Sequence, residues 1–561
     1  MSDPSGHLES LRKAATAHYR RGEFAAAQSA LAAALKLDPG SAEMWSNFGT
    51  VQAALSRHDE AVDSFTRALR LKPGLANAHL NRAQTLLVLR RYEEAIPDYE
   101  FTLRAAPDHP YSLGDLIFCK LQCCDWNELD ALRTRAAADL RAGKRAVTPL
   151  LAAALLEAPE DQLRALQIIA RDRLAPKPPL WRGERYRHDR IRVAYVSADF
   201  HAHPTAVLMA GVFEHHDTTR FETIAVSFGP DDESPMRARL TRSFERFIDA
   251  RGENDAAIAA RMREEEIDIA VDLKGFTSDA RPDIFAFRPA PVQVNYLGFP
   301  ASMGADFMDY LIADSVLVPE TDEIYYSENI VRLPHSYQPN DRSRGIAATP
   351  SRAEAGLPQH AFVFCCFNNS YKIQPTIFDL WMRLLAKFEG SVLWLLEDNS
   401  AAARNLSAKA EARGIAPHRL VFAPRIAQEQ HLARQRLADV FLDTLPYNAH
   451  TTASDALFAG LPVLTCLGTT FAGRVAASLN YAMGVPELVT QSLEDYEALA
   501  LALARDAARL AKIRGKLAAN RDTGPLFDAA LFTKHLETAY TAMWERNERG
   551  EKPESFSVAP V

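Results

Sequence analysis

Cysteine is scarce in this chain of 561 residues: there are six, Cys119, Cys123, Cys124, Cys365, Cys366 and Cys466. So few in so long a chain make no disulfide framework, and adjacent pairs lack the spacing of a zinc site. They read as reduced core thiols. Excess positive charge is also lacking. A formal net charge of −8 leaves no global field to gather nucleic acid or an anionic membrane surface, so neither is expected as a partner and any phosphate binding must be local. No apolar run approaches the ~18 residues of a membrane span. The opening MSDPSGHLES carries neither the basic segment nor the apolar stretch of a secretory signal, so a cytoplasmic protein is expected. Missing as well are a GxxxxGKS or GxxxxGKT loop, HExxH, GxSxG and a DxD metal–diphosphate motif, which leaves kinase-like and zinc-hydrolase chemistry without support.

Apolar residues make up 47% and charged residues 24%, an ordinary globular balance. The length exceeds what one hydrophobic core supports, so about two to four folding units are expected. A shift of 34 superimposes Pro39 on Pro73 and Pro107, Ala27 on Ala61 and Ala95, Leu31 on Phe65 and Tyr99, and Ala15 on Gly49 and Ala83. Small residues let paired helices approach, larger ones fill the seam, and each proline stops a helix, which is the tetratricopeptide pattern. Three such repeats span roughly 6–108. Residues 109–180 keep helical runs but lose the register, as a connector would.

From Ile191 the rhythm changes to short β-branched runs alternating with helices: IRVAYVS, ETIAVSF, IDIAVDL, then FVFCCF, SVLWLLE, HRLVFAP, DVFLDTL and PVLTCL. That alternation predicts parallel sheets covered by helices. A break over 341–358 divides it into two Rossmann-like lobes facing a cleft, 191–340 and 359–545, the second carrying the C-terminal helices.

Ligands in such sheets collect beyond the strand C-termini. DVFLDTL runs into Pro446-Tyr447-Asn448-Ala449-His450-Thr451-Thr452 and then a helix. Thr451 and Thr452 there offer free N–H groups and hydroxyls suited to a pyrophosphate, or serve simply as caps. Asp455 is a dipole partner or a ribose-hydroxyl acceptor. Lys372, just past FVFCCF, is either a surface lysine or a cation for a leaving diphosphate, strengthening as negative charge develops. His203, before a proline at a helix start, has an extended backbone and a ring that can serve as a general base, worth ~10²–10⁴-fold; local sequence allows His201 equally.

The segments SADFHAHPT, FRPAPVQVNYLGFPASMGADFMDY, FNNSYKIQP, LADVFLDTLPYNAHTTASDALFAGLPVLT and RVAASLNYAMGVPELV resemble the O-linked N-acetylglucosamine transferases of glycosyltransferase family 41. The resemblance runs from about Cys124 to the tail PLFDAALFTKHLETAYTAMWE. It implies a multidomain architecture, an all-α tetratricopeptide array followed by an α/β GT-B fold, with inverting, metal-independent chemistry and no cofactor. By the same resemblance Lys372 matches the diphosphate-contacting lysine, Tyr371 its neighbour and Asn369 a donor-contacting amide. His450, Thr451 and Thr452 match the phosphate-binding run and Asp455 the ribose contact. Ile426 falls at the uracil-contacting backbone position, with His431 and Arg434 on the base-binding segment, and His203 matches the active-site histidine. Three positions depart from animal members: Asn369 replaces a glutamine, Gln428 a ribose-contacting lysine, and Tyr447 a cysteine beside the donor N-acetyl group.

The implied activity is transfer of N-acetylglucosamine from UDP-N-acetylglucosamine to Ser or Thr of proteins or peptides that reach the cleft and the repeats. Related transferases using GDP-fucose or UDP-glucose are the alternatives within the enzyme class. A catalytically inactive repeat scaffold is the alternative outside it.

Overall fold

The computed structural model describes residues 4–561, which divide into two units: one of residues up to 139 plus 144–147, the other of 140–143 plus 148–561. In the first, six helices form three antiparallel pairs: Pro4–Arg20 with Phe24–Leu37, Ala42–Ala54 with His58–Leu71, and Ala76–Val88 with Tyr92–Ala105. The period of 34 is visible in the packing. Ala27, Ala61 and Ala95 are fully buried where paired helices meet, beside Leu31, Phe65 and Tyr99. At Gly49 a Cβ would sit 2.8 Å from the Phe65 ring, so this crossing needs the missing side chain. Pro39, Pro73 and Pro107 each follow the end of a second helix by two residues, where a ring that cannot continue the helix belongs.

Helix Ser112–Gln122 stacks on Tyr92–Ala105 although the 34-residue register has ended. The stretch read as one connector is thus divided: helix 112–122 and most of Leu129–Arg141 lie with the repeats, while Pro149–Leu155 and Pro159–Arg173 belong to the larger unit. The apolar face of helix 112–122, with Leu113, Leu116 and Ile117 buried, continues the stacking without the repeat's small-residue signature.

The larger unit contains two parallel sheets. The strands are β1 (Ile191–Ser197), β2 (Phe221–Ser227), β3 (Arg246–Asp249), β4 (Ile269–Asp272), β5 (Val292–Asn295), β6 (Tyr310–Asp314), β7 (Asn329–Leu333), β8 (Phe362–Cys366), β9 (Ser391–Leu396), β10 (Leu420–Ala423), β11 (Val440–Leu442), β12 (Val463–Cys466), β13 (Val489–Thr490) and β14 (Phe556–Ser557). The first sheet runs β14-β7-β6-β5-β4-β1-β2-β3 and the second β10-β9-β8-β11-β12-β13. Strand order reverses between β1 and β4 in one and between β8 and β11 in the other. These are the two switch points, where loops diverge to opposite faces and leave room for a ligand.

The chain end corrects the lobe boundary expected at 545. Helix Ala529–Glu548 packs on helix Pro204–His215 of the first lobe, and β14 pairs with β7, Phe556 opposite Val331. Ala529 lies so near Gly211 that a Cβ there would be 2.9 Å from its own. Glu537 accepts hydrogen bonds from His216 Nδ1 (3.0 Å) and the Asp217 amide (2.7 Å). Sequence order alone puts the helix with the second lobe; its buried Phe532, Leu536, Tyr540 and Met543 take it to the first. Among the described residues no helix is long and apolar enough to cross a membrane.

Replacing the buried ring in Phe65→Ala should lower the opening free energy of helices 42–54 and 58–71 by about 3–5 kcal/mol. Hydrogen exchange measures this directly, and unchanged protection would show that the ring does not hold the repeat together.

Candidate active site

A cleft of about 570 Å³, within the usual size for a small-molecule site, opens between the C-terminal edges of the two sheets. Its wall is built mainly from four strand-end turns and the segment joining the lobes, with Met236 after β2 and Leu396 at the end of β9 completing it. After β1, His203 caps helix Pro204–His215 with φ −136° and ψ 149°, the extended backbone that a following proline imposes. Its Nδ1 accepts the Thr205 amide at 3.2 Å and lies 3.4 Å from Asp199 Oδ2, a carboxylate held by Lys274 Nζ at 2.8 and 3.0 Å. Burial lowers the pKa of His203, so the ring is neutral at neutral pH. Because Nδ1 accepts the Thr205 amide, the neutral ring in this arrangement carries its hydrogen on Nε2; Nε2 becomes bare to take a proton only when that hydrogen moves to Nδ1, toward Asp199. His201, the equal candidate from sequence, is not part of the wall; its Nδ1 faces Asp232 at 3.8 Å.

After β8, the turn Ser370–Lys372 carries Lys372 into the cleft wall. Its Nζ donates to the Asn448 carbonyl at 2.8 Å and sits 3.9 Å from the centre of the Tyr447 ring. Burial pulls this ammonium down to about 7, opposed by the negative charge of Asp443. Asp443 is itself pushed up to about 6 by burial, despite accepting from the Ala449 and Thr444 amides and Thr465 Oγ1.

After β11, Thr451 and Thr452 open helix Thr451–Phe458, and their first-turn N–H groups face away from the helix body. Thr452 Oγ1 donates to Asn368 Oδ1 at 2.6 Å, tying the β11 turn to the β8 turn. One turn along the same helix, Asp455 is paired with Arg344 of the inter-lobe segment.

After β10, Ile426 and Gln428 lead into helix Gln428–Gln435. Arg434 donates to the Pro424 carbonyl (2.6 Å) and to His431 Nδ1 (3.0 Å), and both side chains pack on Phe367. Burial pulls His431 down to about 4 and Arg434 to about 10, so at neutral pH the first is neutral and the second charged. Asn369 accepts from Arg425 Nη2 at 2.9 Å.

Of the residues expected at the site, His203, Asn369, Lys372, Ile426, Gln428, His431, Arg434, Thr451, Thr452 and Asp455 line the cleft, while Tyr371 and His450 stand behind it. Tyr371 meets Tyr447 edge-on at 6.0 Å, and His450 stacks on Tyr447 at 4.8 Å. His450 Nε2 lies 3.1 Å from the Ala472 carbonyl, and burial drives its pKa well below the ordinary value, so it is a neutral donor. Sequence reasoning missed Arg344, Arg425, Met236, Phe367 and Asn368. Asn368 and Arg425 adjoin residues that were singled out; Arg344, in a segment without periodicity, gave no signal. Lys372, Arg344, Arg425 and Arg434 line the cleft with one acid, Asp455, and Arg425 is also paired with Asp398 Oδ1 at 2.6 Å behind it; four cations against two acids make the cleft locally cationic in a chain of net negative charge.

A family model described as glycosyl transferase family 41 matches residues 169–348 and 341–536, and a tetratricopeptide repeat model matches 12–76. A protein of Arabidopsis thaliana, described as a probable UDP-N-acetylglucosamine–peptide N-acetylglucosaminyltransferase, is 38% identical over 376 residues, covering 66% of this chain and 38% of its own. A Caenorhabditis elegans UDP-N-acetylglucosamine–peptide N-acetylglucosaminyltransferase is 29% identical over 490 residues, covering 67% of this chain and 43% of its own. The chain therefore spans about two-fifths of the length of these relatives. The solved structure of a mutant Thermobaculum terrenum O-GlcNAc transferase is 28% identical, with a TM-score of 0.71 over 98% of this chain and 99% of that one. With a family model spanning both sheets and a solved relative superimposing over nearly its whole length, the chain belongs to glycosyltransferase family 41.

Proposed function

We propose that the protein transfers N-acetylglucosamine from UDP-N-acetylglucosamine to Ser or Thr hydroxyls of proteins, with inversion and without a metal ion. The observation that carries this reading is the cationic cleft at the two facing switch points of a family 41 chain. The diphosphate lies on the N-terminus of helix Thr451–Phe458 beside Lys372, with uracil against the Ile426 backbone, His431 and Arg434, and the ribose toward Asp455. The acceptor hydroxyl attacks the anomeric carbon and forms the new C–O bond. The bond to the β-phosphate oxygen breaks, and its electron pair leaves with UDP. The hydroxyl proton passes to His203 or to a donor phosphate oxygen. Because charge on the leaving diphosphate grows in the transition state, the helix N–H groups and Lys372 bind that state more tightly than the ground state. Protein acceptors engage the repeats and the cleft.

The low pKa of Lys372 gives UDP binding a pH dependence of known sign. Below about 7 the ammonium is charged and binds phosphate at full strength; above it the neutral fraction grows, and the affinity falls by up to about tenfold per pH unit. Calorimetry between pH 6 and 9 should show that decline. K372M should flatten it and weaken UDP binding at pH 6.5 by roughly 10–100-fold, as loss of a charge-assisted bond implies. A chain without UDP affinity would refute the enzyme reading.

If His203 takes the proton, H203A lowers kcat by about 10²–10⁴-fold and leaves UDP affinity in place. The wild-type rate should then fall on the acid side through a pKa below 6.5, since burial favours the neutral ring. Full activity in H203A would assign the proton to the donor phosphate.

A further inference from the structure

Arg344 is the least expected charge in the cleft wall, and its side chain is only 7% exposed. It sits in the segment between β7 and β8, which has no helix or strand of its own. The guanidinium is nonetheless fixed on three sides. Nε donates to the Asp341 carbonyl at 3.1 Å, Nη1 donates to Asp455 Oδ1, and the plane lies 4.5 Å from the centre of the Phe458 ring. Its own support reaches the first lobe, because Asp341 accepts from Arg239 Nη1 at 2.5 Å. A few residues earlier, Gln338 Nε2 donates to Ser454 Oγ at 3.1 Å, the neighbour of Asp455 on its helix.

Among the described residues that line the cleft, Asp455 is the only acid, and its side chain is 14% exposed. A carboxylate so enclosed tends to protonate, and burial does raise its pKa, whereas the charge and hydrogen bond of Arg344 oppose that rise. Nη1 occupies Oδ1 and leaves Oδ2 for a ligand.

We propose that Arg344 is a positioning residue of the nucleotide site: it fixes Asp455 as an oriented carboxylate whose second oxygen accepts a ribose hydroxyl of the donor. This rests on the nucleotide-sugar reading of the cleft. Arg344 acts through Asp455 and touches no reacting atom. The inter-lobe segment thereby becomes part of donor recognition.

The test is calorimetry of the full chain with UDP, 2′-deoxy-UDP and 3′-deoxy-UDP. In the wild type, one deoxy ligand should bind at least about fivefold more weakly than UDP, and that ligand identifies the hydroxyl. In R344M, UDP should weaken to about the level of that deoxy ligand, and the deoxy penalty should shrink below about twofold. R344K keeps a charge but not the fork that joins Asp341 to Asp455, and should show an intermediate penalty. Melting of the free variants reports folding; if R344M does not fold, R344K decides. A wild-type deoxy penalty retained in full by either variant would overturn the inference, as would equal binding of all three ligands by the wild type. A wild type that binds no UDP removes the nucleotide-sugar reading itself and the inference with it, an outcome distinct from both.

Discussion

The site depends on a buried ammonium. Lys372 is 8% exposed, has no acid in direct contact, and is held by one carbonyl oxygen and the face of one aromatic ring. Taking a charge out of water without pairing it is costly, and a protein answers either by neutralising the group or by supplying a counter-ion when a ligand arrives. Here the first is in place, and the geometry suits the second. Burial brings the pKa to about 7, and the cleft beside the lysine is shaped for an anion by an open helix N-terminus. Asp443, Asn448, Tyr447 and His450 support this arrangement from behind. Asp443 orders the turn through the Ala449 and Thr444 amides, Asn448 supplies the carbonyl, and His450 is a neutral donor stacked on the tyrosine.

Around that group the fold supplies direction. Each sheet reverses strand order once, and both reversals face the same cleft, so turns from β1, β8, β10 and β11 converge although the first, at His203, lies more than two hundred residues before the last, at Thr452. The first lobe brings His203, and the second brings Lys372, Arg425, Arg434 and the helix N-terminus. The last helix and β14 return to the first sheet after the second is complete, so the chain crosses between the lobes twice. Arg344 lies on the first crossing.

Much of this was legible in the sequence wherever a local rule had one physical solution. The 34-residue period at Ala27, Ala61 and Ala95 marks places where two helices touch, and such contacts tolerate little else. The long β-branched runs became strands because no other element buries them as well. β3, β5 and β7 (RFID, VQVN and NIVRL) break their apolar residues with polar ones, unlike the equally short β4, β10 and β12, and so stand out less from loops; β6 (YLIAD) is apolar, and sequence reasoning missed it as well. The destination of helix Ala529–Glu548 depends on long-range contacts such as Glu537 with His216, which no local pattern encodes. Within the site, residues at strand ends were readable because chemistry collects there, and the family resemblance added Ile426, His431 and Arg434. Arg344 was invisible for the opposite reason. Its segment has no period, and its meaning comes from Asp455, 111 residues away.

In the function we propose, one cleft binds a UDP-sugar and passes the sugar to protein hydroxyls. The most direct measurement is mass spectrometry of protein acceptors incubated with the full chain and, separately, with UDP-N-acetylglucosamine, UDP-glucose or GDP-fucose. Single N-acetylhexosamine units should be added to Ser or Thr with the first donor alone. Transfer from GDP-fucose or UDP-glucose instead, or no transfer from any of the three, would contradict that function.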